Sequence, residues 1–513
     1  MKQETIKYIK DFEKKQSFQL EQGINNQRVI VQYPNKVWPF WVQRQFDPKS
    51  SHFNSNSNPM SANNTTYRNW TQLGFPFSNQ KVLVDPTGMI TPLTQLWSLE
   101  SWVAIGDKLH ILSSCPNIKQ YLSKSSPKVI TRYKYDALKI DSEVFFNPLT
   151  EHEKLCVNQI KLHNTTAGPL KISFFYVIRP YTPEGVSQVK NITYLSKQAF
   201  IVNNYLGLVL DNKPDNVICT QFSDEDLSTV WNKWEMILKT QCNLNMSSAL
   251  ASYNTTLAPD EQISYSCKIP LVDHSLLSKS FSKPMKAEKS KKLSNQISQY
   301  QTLNASHEST HVSYKWEELM KEKIDLKIPD KKTERLFKDN CHHVLNFTSK
   351  TQLYSKILPL SNNINESFDI LLALNQIGFA YRAAHFTMHL PALKNWALTS
   401  LKTSVEKAKT IISVKTTSQY TKDLDPEKVF YKCHFLGKSM KTHLGKLSEY
   451  HTLSDYIWIL GAYQALFYLA KKCNKEKATK QYHSRYVILK AELENFAKHT
   501  SDINQLDSML PVT

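Results

Sequence analysis

Glycine is scarce in this sequence: 11 in 513 residues. A chain with many turns normally places glycine where φ must be positive, so Asn and Asp are expected to fill those positions. No two of the eight cysteines form a CxxC pair, and their spacing supports neither a zinc knuckle nor a disulfide framework. The start, MKQETIKYIKDFEKKQ, lacks the apolar stretch of a signal peptide. The longest apolar run, Tyr456 to Ala470, falls short of the roughly 20 residues a bilayer-spanning helix needs. These absences point to a cytoplasmic protein with reduced thiols and no membrane partner. GxGxxG, GxxxxGK[ST] and GxSxG are missing too, which removes the signatures of nucleotide binding and of α/β-hydrolases.

What is present is an ordinary globular composition, 41% hydrophobic and 21% charged, long enough for two or three domains. The formal net charge of +19 raises nucleic acid as a partner. The lysines are spread along the chain rather than gathered in one stripe, so a solvated basic surface is expected and no nucleic-acid partner.

After an N-terminal extension (1–27), residues 28–275 read as β. KLCVNQIKLHN and LKISFFYVIRP have strand length and apolar alternation, split by TTAGP. Short strands with Asn, Pro and Asp between them predict an antiparallel sandwich. Residues 276–313, rich in Lys, Ser and Gln without an apolar period, read as a linker. From 314 to 513 the pattern becomes helical, with helices expected near 331–348, 364–388, 390–413, 426–446, 452–472 and 476–499. In series with short loops, six helices make three αα-hairpins.

His385 and His389 stand at i, i+4, but Phe386 occupies the place where a metalloprotease carries its Glu. The neighbours Cys341, His342 and His343 diverge around a helix and cannot easily share one ion. No metal and no cofactor is expected. VWPFWVQRQFDP, NNTTYRNWTQLG and VDPTGMITPLTQLWSLESW concentrate Trp, Arg, Asn and Asp in the first 102 residues. Such residues can present flat faces and hydrogen bonds to a sugar, here Arg68, Trp70 and Trp102, or can pack at a domain interface.

These stretches, with LHNTTAGPLKISFFYVIRPYTPEG and YNTTLAPDEQISYSCKIPL, resemble the N-terminal β-supersandwich of bacterial six-hairpin glycosidase-like proteins. Those proteins continue into an (α/α)6 toroid of the glucoamylase kind. IPDKKTERLFKDNCHHVLNF and ESFDILLALNQIGF resemble the first helices of that toroid. The resemblance implies an antiparallel β-sandwich followed by an α/α-hairpin domain equal to about half of an (α/α)6 ring. In the family the second helix opens with aromatic–x–Arg–Asp, whose charged pair grips a terminal sugar. Here those positions carry Asn363, Asn365 and Glu366. Inverting glycoside hydrolysis needs an acid and a base across the sugar. Glu366 and Asp455 are the candidate acids, each also readable as a helix-start carboxylate, and no residue stands out as the base. The resemblance implies a glycosidase-like, carbohydrate-active protein, reduced or inactive, with an oligosaccharide as ligand. The alternatives are an active hydrolase of α-linked glucosides and a non-catalytic interaction scaffold. Half a ring leaves apolar faces uncovered, so a second polypeptide or self-association is expected to cover them.

Overall fold

The computed structural model describes residues 24, 26, 28–29, 32, 36–41, 70–76, 78–92, 97–183, 185–221, 223–233, 235–271, 287–348, 364–389, 403–421, 424–440 and 453–504. They divide into two compact units. The first holds the residues up to 321 together with 338–346; the second holds 322–337 and the helices from 364 onward.

The first unit is a sandwich of two antiparallel sheets. One runs in the order Thr71–Leu73, Val82–Val84, Ile90–Pro92, Ser98–Ile105, Leu170–Arg179, Ser248–Leu257, Asn216–Thr220, with Lys108–Ile111 also on Ser98–Ile105. The other runs Lys239–Gln241, Asn191–Leu195, Ala199–Val202, Tyr205–Leu210, Gln262–Pro270, Leu155–Asn164, Leu138–Asn147, Val129–Lys134, Ile118–Leu122. Period-two alternation decides what each face meets. Phe174, Tyr176 and Ile178 enter the core between the sheets with Val144, Phe146, Ile160 and Ile269. Phe175 and Val177 point the other way, into a second cluster with Trp102, Leu227 and Val230. That cluster is capped by a short helix α1 (Leu227–Val230), whose N-cap Asp226 accepts from Ser228 N at 2.9 Å.

Glycine scarcity is met as expected. Among the described residues, the non-glycine positions with positive φ are Gln198, Asn203, Asn204, Asn245, Asp260 and Asn474. Asn203 and Asn204 make the two-residue turn between Ala199–Val202 and Tyr205–Leu210, where a type I′ hairpin needs φ > 0 twice. The cysteines are free thiols.

The linker expected at 276–313 is corrected from residue 287 on; 272–286 lie outside the described residues. Helices α2 (Ala287–Thr302) and α3 (Ala305–Met320) occupy the stretch and run past its end. In α3 the buried positions Ala305, Glu308, Ser309, Val312, Trp316 and Met320 recur at helical spacing, but two of them are polar. The sheet beneath is polar as well. Asn147 Nδ2 donates to Glu308 Oε2 (2.7 Å), Lys128 Nζ to Ser309 Oγ (2.8 Å) and Gln159 Nε2 to Ser306 Oγ (3.0 Å). Hydrogen bonds satisfy these buried groups in place of an apolar stripe. Asn26 belongs to this unit too, buried with its Oδ1 accepting from Val186 N at 2.9 Å. The sandwich therefore takes in part of the segment read as an extension.

Helix α4 (Lys331–Asn346) contributes its C-terminal half to the first unit, where His342 meets Trp316 edge-on at 5.2 Å. The second unit contains α5 (Ile364–Gln376), α6 (Ala380–His389), α7 (Ser404–Tyr420), α8 (Pro426–Ser439), α9 (Leu453–Lys472) and α10 (Glu476–Asn504). The single helix expected at 364–388 is two. Gly378 (φ +101) ends α5, and Phe379 N donates back to Leu374 O at 2.8 Å, a left-handed helix stop. A side chain there would strike Ile324 N at 2.7 Å. The helices pair as α5/α6, α7/α8 and α9/α10; the last two match the expected hairpins, and only the first differs, because 364–388 folds back on itself instead of pairing with α4.

Candidate site at the N-terminal ends of the inner helices

Cross-contacts arrange the second unit in two layers. Asn375 Nδ2 donates to Thr417 Oγ1 (2.9 Å) near the ends of α5 and α7. Lys409 reaches Trp458 near the starts of α7 and α9, and Lys415 lies 5.0 Å from the Tyr468 ring further along both. So α5, α7 and α9 run parallel, side by side. Lys407 Nζ donates to Ser439 O (2.9 Å) and Arg485 lies over Tyr463, which makes α8 and α10 antiparallel to their partners. His434 Nδ1 and the Tyr482 hydroxyl share a hydrogen bond of 2.8 Å, joining α8 to α10 in the other layer. Among the described residues this is the layering of an α/α-hairpin array of three hairpins.

In such an array the starts of the parallel helices gather at one end. Lys409 is the meeting point there: its Nζ is 3.9 Å from Asp369 Oδ1 and 4.7 Å from the Trp458 ring centroid. The Lys409 side chain is 13% exposed and that of Asp369 57%, so the pair sits at the rim of the layer. Along α7 the half-buried positions Val405, Lys409, Ile412 and Thr416 recur at i, i+4, i+7 and i+11. On α9, Ile457, Gln464 and Tyr468 are exposed at matching spacing. Together they form an open, mixed apolar and polar face.

Glu366 and Asp455 each stand three residues before one of the groups meeting at Lys409. Both occupy the third helical position, Glu366 in α5 and Asp455 in α9. Asp455 is half-buried; the Glu366 side chain lies outside the described residues, as does that of Asn365 on the same turn. Asn363 lies outside them entirely. The third inner helix shows what an acid does at this position. Glu406 Oε2 accepts from Thr403 N (3.1 Å) while Thr403 Oγ1 accepts from Glu406 N (3.1 Å), a complete capping box. The same spacing opens all three helices: Asn363-x-x-Glu366, Thr403-x-x-Glu406 and Thr452-x-x-Asp455. That repeat is visible in sequence. Asp369, Lys409 and Trp458, by contrast, are brought together only by helix packing.

The aromatic candidates in the sandwich are placed differently. Trp102 is fully buried, with the Arg179 guanidinium 5.3 Å from its ring centroid and its Nε1 donating to Glu100 Oε2 at 3.0 Å. No ring face is left for a sugar, so the sugar-stacking expectation for Trp102 is corrected to packing. Arg179 also stacks on Tyr181 (5.0 Å) and donates to Val37 O. Burial pushes the Glu100 carboxyl up, and the neighbouring Arg179 pulls it back down. Trp70 is 4% exposed, in a cluster with Trp38, Trp41, Met89 and Tyr181. It too is a packed side chain. Arg68 lies outside the described residues. The VDPTGM motif is an Asx turn: Asp85 Oδ1 accepts from Thr87 N (2.8 Å), Thr87 Oγ1 (2.8 Å) and Met89 N (2.9 Å). Burial raises this carboxyl to about 7 against the pull of those donors.

His385 is exposed on α6, and among the described residues no group of three or more His, Cys, Asp or Glu could hold a metal ion. None of the described helices is long and apolar enough to cross a membrane.

No family model matches the chain, and no curated protein matches it in sequence. Among solved structures it is similar to a protein described as a kojibiose phosphorylase from the human microbiome, at 7% identity and a TM-score of 0.39, over 83% of this chain and 63% of that one. It is also similar to a family GH92 alpha-mannosidase from Bacteroides thetaiotaomicron, at 9% identity and a TM-score of 0.37, over 82% and 63%. The same enzyme in complex with mannoimidazole matches at 9% and 0.38, over 82% and 61%. The chain spans less than two thirds of the length of each.

Proposed function

We propose that this chain is a glycosidase-like, carbohydrate-binding protein that holds an oligosaccharide at the N-terminal end of α5, α7 and α9 without hydrolysing it. The observation that carries the reading is the cluster of Lys409, Asp369 and Trp458 at the rim of an open helical face. An indole offers an apolar face to sugar C–H groups, and the ion pair offers a donor and an acceptor to hydroxyls. Against catalysis stands the acid position itself. Glu406 is engaged in a capping box, and Glu366 and Asp455 occupy equivalent positions in the neighbouring helices.

A glycan-binding screen with hydrolysis followed in parallel tests this. Wild-type protein should retain an α-linked oligosaccharide and release no product; Trp458→Ala should lose retention, and Glu366→Gln and Asp455→Asn should leave it in place. Turnover of an α-glucoside that either carboxylate variant abolishes would instead establish an active hydrolase, with its base supplied by another chain.

A scaffold reading is favoured by one further observation. Ile457 and Tyr468 on α9 and Val487 and Ile488 on α10 are exposed by 51%, 39%, 48% and 44%, and exposed apolar side chains are where a partner can dock. A second polypeptide or a second copy would cover them. Sedimentation at increasing concentration should then show association, whereas a stable monomer removes the need for a partner.

A further inference from the structure

A cleft of about 300 Å³ opens in the first unit, between α2 and the sheet that carries Tyr205–Leu210. Four segments build it. The Asn203-Asn204 turn supplies Tyr205 and the buried Ile201 and Leu206; the sheet end supplies Leu271; the segment before Leu155 supplies Glu153 and Lys154. From α2, Lys292, Leu293, Gln296 and Tyr300 face inward at helical spacing.

Its floor is apolar and its rim polar. Tyr300 is 2% exposed, and Gln296 Nε2 donates to its hydroxyl at 2.8 Å. Burial pushes the Tyr300 phenol up to about 12, so it remains a neutral hydrogen-bonding group. Lys154 is 8% exposed and its ammonium is fixed by Thr150 O (2.7 Å) and Glu151 O. Lys292 stands exposed on the opposite wall. Two lysines, Lys154 and Lys292, therefore line the cleft against one carboxylate, Glu153.

A pyranose ring has one apolar C–H face and an edge of hydroxyls, which matches an apolar floor beside an amide and a phenol. The volume sits at the small end of ligand pockets, so one or two rings fit and a long chain does not. Two lining lysines against one carboxylate favour a ligand carrying an anion. We propose that this cleft binds a small acidic sugar, a monosaccharide bearing a carboxylate or a phosphate. The site is separate from the inner-helix cluster and does not rest on the reading given for it.

Ligand-observed NMR titration of the full chain with glucuronate, glucose 6-phosphate, glucose and inorganic phosphate tests the proposal. At least one of the two acidic sugars should bind saturably, and which one identifies the anion. Glucose and phosphate alone should each bind about tenfold more weakly. Lys292→Glu, an exposed substitution that leaves the core untouched, should abolish binding of the acidic sugar, and Gln296→Ala should weaken it. Trp458→Ala should leave this binding unchanged, which keeps the two sites distinguishable. The proposal is overturned if neither acidic sugar binds, if phosphate alone binds as tightly as glucose 6-phosphate, or if the Lys292 variant binds like wild type.

Discussion

One charged cluster in each unit makes the comparison. In the sandwich cluster the charged groups are buried: Arg179 is 2% exposed between Trp102 and Tyr181, close to Glu100 at 5%. In the helical unit, the Lys409 and Asp369 pair lies at a rim where water reaches the carboxylate. The sandwich thus packs Trp102 and Arg179 inside, while Asp369 of the helical unit stays exposed. Density of Trp, Arg and Asp in a sequence marks chemistry or packing, and only burial separates the two.

The widest separation should appear on removing one cation from each unit. Arg179→Met leaves Glu100 buried without its opposite charge and should cost about 3–5 kcal/mol. Lys409→Met should cost less than about 1 kcal/mol, as expected of a partly exposed pair. Urea unfolding of both variants checks this, and equal losses would erase the contrast.

A second test concerns pH within the first unit. Asp85 has its carboxyl raised to about 7 in the fold, so the folded state holds that proton more tightly and this group's contribution falls as pH rises from about 4 to 7. His342 is lowered to about 4 by burial, so the unfolded state binds the proton more readily. Its contribution is full above about pH 6.5 and is lost as pH falls toward 4. The two slopes oppose each other. Asp85→Asn should tilt stability upward with pH, and His342→Phe downward, each by up to about 3 kcal/mol over the window. Thermal unfolding at pH 4.5 and pH 7 reads the tilt.

Thr403→Ala, which breaks the capping box of α7, should cost about 1 kcal/mol. If the same substitution at Thr452 costs as much, Asp455 is also a cap, and the acid reading of that residue loses its ground. An unchanged stability at Thr452 means that Asp455 does not act as a cap.

Much of the architecture was readable because local periodicity and burial agreed. The strands Leu155–Asn164 and Leu170–Arg179 alternate strongly enough to declare themselves. Asn203, Asn204 and Asp260 take the positive φ angles that scarce glycine could not fill. Helices α2 and α3 were hidden. Their anchors, Ile297, Tyr300, Val312 and Trp316, are few, and α3 lays polar side chains on a polar sheet face, so no apolar period forms. The break at Gly378 was missed because Ile377 and Phe379 on either side are both buried. An apolar pattern that continues through a turn reads as one helix.

The sequence by itself determined the order of the two units, the antiparallel strands and the capping box of α7, all of which depend on residues close together in the chain. The tertiary structure decided which of the conspicuous residues are buried and which meet at the surface. Trp102 is closed off by Arg179 from another strand, and Asp369, Lys409 and Trp458 lie on three different helices. Such meetings depend on packing between elements far apart in sequence, and local preference does not encode them.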